Sequence, residues 1–213
     1  MAQARVPPRL ISLLSTWGAL PAVAEQSAAH VVARYDEPHR HYHDRRHLDE
    51  VLAVTDRLGA PAEVEAAVWF HDAVYDPTAR DNEARSAAYA RVTLRAVGAP
   101  APFVDEVARL VLVTAHHDPA PADHNGELLA DADLAILGAS PERYDEYRRD
   151  VRAEYGHLDI AAWRAGRSQV LRGLLERPNL FHDPALRDEL EARARANLRA
   201  ELATLAAPET GGL

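Results

Sequence analysis

The 213-residue chain contains no cysteine and no lysine. Without cysteine there is no thiol nucleophile, disulfide framework, thiolate zinc site or cysteine-ligated iron–sulfur cluster, and nothing ties the chain to an oxidising compartment. Without lysine, Schiff-base chemistry and the phosphate-loop lysine are excluded, and all 24 basic residues are arginine. No apolar run approaches the roughly 18 residues a spanning helix needs, so no membrane partner is expected. Against those arginines stand 33 acidic residues, a net charge of −9. A binder of nucleic acid polymers, which neutralises phosphates with a basic face, is therefore not expected. Small molecules and metals are the expected partners. A chain of this length buries roughly 70% of its unfolded surface and needs no staple, so one domain over residues 1–213 is the expectation.

Two readings meet at the start of the chain. Arg5 and Arg9 precede the apolar stretch Leu10 to Leu20, and Ala22-Val23-Ala24 follows, in the order of a signal peptide. However, Ser12, Ser15 and Thr16 interrupt the stretch, and Leu10, Leu13, Leu14 and Trp17 fall at i, i+3, i+4 and i+7. That is the stripe of an amphipathic helix, and a cytoplasmic protein is expected.

Apolar residues recur with period 3.6 almost throughout, and alternating strand-like runs are missing, which predicts an all-α fold. Helices are expected near residues 7–17, 21–35, 43–59, 61–75, 81–98, 102–116, 125–138, 141–155, 159–177 and 184–206, about ten in all. Prolines punctuate the pattern at Pro100 and Pro102, Pro119 and Pro121, and Pro178, where a fixed φ and a missing N–H would damage a helix interior. There is no internal repeat or low-complexity tract. The last helix carries Glu189/Arg193 and Glu191/Arg195 at i, i+4, which predicts a solvated, salt-bridged face, with self-association as a homodimer the other use of such a helix.

Eleven histidines are spread unevenly: four crowd into residues 39–47, in PHRHYHDRRHL, and a fifth precedes aspartate in WFHDAVYD. Polar groups on apolar helix faces are informative because a buried one costs about 1–3 kcal/mol unless it is hydrogen-bonded or bound to a metal. His47 lies one turn before Val51, Val54 and Leu58, on the inward stripe. His71 shares a stripe with Val64, Ala67, Val68, Val74 and Tyr75, and Asp72 is offset by about 100° toward Val68 and Trp69. The stripe Phe103, Val107, Leu110, Thr114 continues to His117 rather than His116. Asp133 shares a face with Leu129, Ile136 and Leu137, whereas Asp131 shares one with Glu127, Leu128 and Leu134, which favours Asp133 by a small margin. Trp69 and Tyr75 read as core aromatics. Four helices thus aim imidazoles or carboxylates inward, a donor set without thiolate that suits a divalent ion: manganese, iron, cobalt, nickel, zinc or, with mostly oxygen ligands, magnesium.

The order His47, then His71-Asp72, then a distant Asp133 resembles the HD superfamily of metal-dependent phosphohydrolases. More narrowly, PHRHYH, the histidine of RRHLDEVL, WFHDAVYD, DNEARSA, TAHH, DADLAILG, VRAEY and GRSQVL resemble its bacterial branch of predicted metal-dependent enzymes, over residues 34–176 and on into EARARANL. The resemblance implies a helical bundle with a buried metal held by His47, His71, Asp72 and Asp133, with His117 as a further ligand. Some HD enzymes hold a second metal with two histidines in the interval where this chain has His116, His117 and His124, so one or two ions are implied. The implied activity is hydrolysis of a small phosphorylated, nucleotide-like substrate by a metal-activated water near Asp72. Arg40 and then Arg80 are the candidates to meet its phosphate at the cavity mouth, and Glu83 the candidate to orient water or protonate a leaving group. His39, His41 and His43 are expected at the entrance, with His43 and His47 sharing a helix face at i, i+4. Two other uses of such a cavity are a non-catalytic nucleotide or metal sensor and a di-iron oxygenase.

Overall fold

The structure is a computed structural model that describes residues 6–207; Arg5 lies outside the described residues. It is all helical, with no strand among the described residues. Ten helices occur in chain order: α1 (Pro8–Ser15), α2 (Pro21–Arg34), α3 (Arg45–Arg57), α4 (Ala62–Phe70), α5 (Asn82–Ala96), α6 (Ala101–Val113), α7 (His124–Leu134), α8 (Pro141–Glu154), α9 (Ile160–Glu176) and α10 (Pro184–Ala206). A 3₁₀ turn, Ala135–Gly138, follows α7. None of these helices is long and apolar enough to cross a membrane. The chain divides into two compact units, one running through Asp133 and the other from Leu134 onward.

In the first unit the apolar stripe of α1 is seated as expected, with Leu10 and Leu14 fully buried. The centre is α4, whose Val64, Ala66, Ala67, Val68, Trp69 and Phe70 are all buried. Past the half-buried Glu63 and Glu65 of its first turn the helix is apolar on every side, and such a segment belongs inside a core rather than on a surface. Helices α3 and α6 pack on α4, and α5 packs along α6. The one expected helix that differs substantially is 61–75, which stops at Phe70. Its last five predicted residues form a turn whose polar groups are satisfied by side chains, as described below.

The second unit is organised around α10. The 3₁₀ turn lies against it so closely that a Cβ on Gly138 would stand 2.6 Å from Leu190 Cβ. Asn197 donates to the carbonyls of Leu137 and Ala139 at 2.8 and 3.1 Å, which ties that turn down. The expected solvated face of α10 differs in detail. Glu191 and Arg195 do pair at 2.7 Å, but they are largely buried. Glu191 accepts the backbone N–H groups of Leu180 and Phe181, and Arg195 donates to the carbonyls of Leu175, Arg177 and Pro178. The pair clamps the segment between α9 and α10, because the irregular backbone around Pro178 leaves polar groups that need partners.

Arg167 of α9 lies in GRSQVL and is buried against Glu201 of α10, with Nε donating to Oε1 at 2.8 Å. Tyr144 donates to the same carboxylate at 2.6 Å, and Arg167 donates to the Tyr147 hydroxyl at 3.0 Å. Removing one partner of such a pair strands a buried charge, at a cost of about 3–5 kcal/mol. Glu201→Ala is therefore expected to lower the free energy of unfolding by about 3–5 kcal/mol in a denaturant titration. A loss no larger than that of a surface Glu→Ala change would contradict this role.

Candidate metal centre

His47 is delivered by the start of α3. Asp44 caps that helix, its carboxylate accepting the N–H groups of Arg46 and His47 at 2.8 and 3.2 Å. His47 thus sits in a fixed first turn with its ring inward, 2% exposed. The cap also places His43 before the helix rather than in it. Its ring nevertheless reaches the His47 ring, with centroids 5.8 Å apart, and that of Tyr75, at 4.2 Å.

His71 is the C-cap of α4, and its position follows from where the last carbonyls of a buried helix find donors. The Ala67 carbonyl takes the His71 N–H at 2.8 Å, that of Val68 takes His71 Nδ1 at 2.8 Å, that of Trp69 takes the Tyr35 hydroxyl at 3.1 Å, and that of Phe70 takes the Ala73 N–H at 3.1 Å. A carbonyl accepts only, so Nδ1 carries a proton, and the other ring nitrogen, Nε2, is left to face the site.

The turn beyond is held from all sides. Arg40 donates to the carbonyls of His43 and Asp72, both at 2.8 Å, and to that of Ala73 at 3.4 Å. Ser86 bonds both the N–H and the carbonyl of Val74, His39 Nε2 bonds the Tyr75 carbonyl, and Asn82 bonds both backbone groups of Asp76. Asn82 and Ser86, at i, i+4 on α5, were not singled out in the sequence. Their signal was their spacing in DNEARSA, directly after a segment read as helix and so as self-satisfied.

Asp133 comes from the far end of α7. Asp123 caps that helix by accepting the Gly126 N–H at 3.1 Å and binds Arg109 of α6 through both oxygens, at 2.5 and 2.9 Å. A Cβ on Gly126 would meet that carboxylate at 2.4 Å, so the cap requires glycine there. His117 lies beyond the end of α6 at a left-handed φ of 49° and reaches Asp133 Oδ2 at 2.7 Å. His117, which the stripe favoured over His116, thus touches Asp133, but the turn brings it there, not the helix.

Four side chains converge. His47 Nε2 and His71 Nε2 are 3.1 Å apart; His47 Nε2 lies 3.2 Å from Asp133 Oδ1 and 3.5 Å from Asp72 Oδ2; His71 Nε2 lies 3.0 Å from Asp72 Oδ2 and 3.6 Å from Asp133 Oδ1. Bonds of about 2.05 Å to one ion place neighbouring donors about 2.9 Å apart in octahedral and about 3.4 Å apart in tetrahedral geometry. The distances of 3.0–3.2 Å fall inside that range and those of 3.5 and 3.6 Å lie just beyond it, and imidazole nitrogens with carboxylate oxygens suit a borderline divalent ion. The buried group His47, His71 and Asp133, with Asp72 beside it, could hold a metal ion.

The electrostatics agree. Burial alone opposes the imidazolium, but the Asp133 and Asp72 carboxylates outweigh it and push His47 up to about 10. His71 is raised in the same way against its burial by Asp72 and Asp133. Burial would raise both carboxyls, yet His71 and His43 hold Asp72, and His71 and His117 hold Asp133, well below the usual carboxylate range.

Other expected site residues fall elsewhere. Arg40 is not at a cavity mouth: its side chain is fully buried, and its guanidinium is committed to Glu37 and three carbonyls between the rings of Tyr35 and Tyr75. A guanidinium surrounded by acceptors is a structural tie. Arg80 is exposed and Glu83 half-buried in the first turn of α5, and neither makes a hydrogen bond or ion pair among the described residues. His116, His124 and His41 are exposed, and Asp131 is buried on α7 outside the converging group. Trp69 and Tyr75 are buried. Comparison with protein-family models, curated proteins and solved structures finds no match to this chain.

Two outcomes are expected. In chelator-treated protein, His47 binds a proton more tightly folded than unfolded, so its contribution to stability is complete below pH 6.5 and is lost as pH rises toward 10. Asp72 and Asp133 contribute above about pH 4 and lose that contribution on acidification. Stability should therefore peak between about pH 4 and 6.5, and the alkaline decline should flatten in His47→Gln; an equally steep decline in that variant would refute the assignment. Arg40→Ala should cost about 2–4 kcal/mol of stability by stranding buried carbonyls and leaving the Asp72 turn untied, whereas a variant as stable as the parent would return Arg40 to the substrate-binding candidates.

Proposed function

We propose that this chain is a metal-dependent hydrolase of a small phosphate ester or nucleotide, of the HD type its motifs resemble. The observation that carries the reading is the convergence of His47, His71 and Asp133, with edges of 3.1–3.6 Å, and of Asp72, 3.0 and 3.5 Å from the two imidazoles. Their order along the chain is the order of the superfamily's motif, which supports the same conclusion. A divalent ion bound there supplies Lewis acidity toward a phosphoryl oxygen and lowers the pKa of a coordinated water toward neutrality.

The chain's own residues do the rest. His71 presents Nε2 because its Nδ1 proton is held by Val68. Asp72 and Asp133 stay ionised at neutral pH because imidazoles surround them, so they are ready as acceptors. Aromatic and imidazole rings form a continuous path outward from the buried His47 through His43 and Tyr75 to the half-exposed His39. With Arg40 committed to backbone, the exposed Arg80 is the remaining early candidate for the phosphate, and its planar guanidinium suits that anion. Glu83, unpaired and half-buried, is the candidate proton carrier for the leaving group.

The test is release of phosphate or nucleoside from a panel of nucleotides and phosphate esters, with Mn²⁺, Mg²⁺, Co²⁺, Ni²⁺, Zn²⁺ or anaerobic Fe²⁺ supplied in turn. Metal-dependent turnover of at least one member, falling to background in Asp72→Ala, is the expected result. Tight, stoichiometric nucleotide binding without product over hours would replace the hydrolase with a sensor. No turnover and no nucleotide binding by the metal-loaded chain would count against both.

A further inference from the structure

Resting on the metal-centre reading above, we propose that His117 is a positioning residue: it holds the outer oxygen of Asp133 and so aims the inner one at His47 and His71. The two oxygens are divided between these tasks. Oδ1 lies 3.2 Å from His47 Nε2 and 3.6 Å from His71 Nε2, while Oδ2 lies 2.7 Å from His117 Nε2. A carboxylate on a flexible side chain can rotate, and rotation would exchange or withdraw the inner oxygen; a short, charge-assisted bond to the outer one removes that freedom. His117 also stands outside the His47, His71 and Asp133 group whose ligand atoms lie close enough to share an ion, and 2.7 Å to the outer oxygen is hydrogen-bond contact.

The backbone supplies an independent reason. His117 occupies a left-handed conformation, φ 49°, where glycine is the unstrained choice. Its N–H caps the end of α6 by donating to the Val113 carbonyl at 2.8 Å, a bond glycine would make equally well. What a glycine there would not supply is the ring, and the left-handed turn carries that ring from beyond the end of α6 to Asp133 near the end of α7.

The experiment measures Mn²⁺ binding by calorimetry or electron paramagnetic resonance, and thermal melting after chelation, for the unaltered chain and for His117→Ala, His117→Gln and His117→Gly. His117→Ala is expected to weaken Mn²⁺ binding by about 10–100-fold at an unchanged stoichiometry, with His117→Gln restoring most of the loss through its amide donor. His117→Gly is expected to melt above His117→Ala, because glycine adopts the left-handed turn without strain, yet to bind Mn²⁺ no better. That separation of stability from affinity is the signature of positioning. Unchanged affinity in His117→Ala overturns the proposal, as does a fall from two ions per chain to one, which would make His117 itself a ligand. A folded, unaltered chain that binds no ion at all removes the metal centre and this proposal with it.

Discussion

The carbonyl groups at the end of α4 cannot turn to water, because that end of the helix is buried on every side. Each needs a donor, and the structure provides one for each of the last four from His71, Tyr35 and the following turn. Much of the site descends from that requirement. The ring of His71 is oriented by the proton it gives to Val68, Asp72 is carried out of the helix into a turn, and the turn is held by Arg40, His39, Asn82 and Ser86. Motifs that look unrelated along the chain, PHRHYH, WFHDAVYD and DNEARSA, are in this sense one hydrogen-bonded assembly.

Each unit also buries carboxylate, and the contrast between the two is instructive. Glu201 meets Arg167 and Tyr144, groups that only donate to it, and the result is a closed pair. Asp72 and Asp133 meet imidazoles instead, whose nitrogens give up their protons at accessible pH and then offer lone pairs. The same compensation of buried negative charge thus leaves, in the first unit, a set of donors that can exchange protons for a metal ion.

Much of this was legible in sequence. Helical periodicity located the ten helices, and the inward stripe put His47 on the correct face, because a face is a local property of a regular helix. It did not separate the two aspartates of α7: Asp131 is the more deeply buried, and only the contacts of Asp133 with His47, His71 and His117 place it at the site. His71 and His117 also lie at the site, at turns where periodicity has ceased, but His117 bonds the outer oxygen of Asp133 and stands outside the group that could hold an ion. Their apolar neighbours lead into the core, and a turn that continues the same direction keeps its side chain near the stripe. The reading failed at Arg40. An arginine amid histidines looks like a phosphate ligand, and only the positions of distant carbonyls show that its donors are already engaged.

The sequence by itself determined the helical class, the absence of thiol and lysine chemistry, and the inward face of His47, since each depends on composition or on neighbours a few residues away. Tertiary structure alone decided where α4 ends, that Arg40 ties two loops together, and that Asp133 divides its oxygens between His117 and the buried imidazoles. Those outcomes turn on which acceptor finds which donor far along the chain, from 16 residues for His117 and Asp133 to 34 for Tyr35 and Trp69 and further still for His47 and Asp133. Pairing at that range is a matter of three-dimensional distance, and a linear pattern carries no record of it.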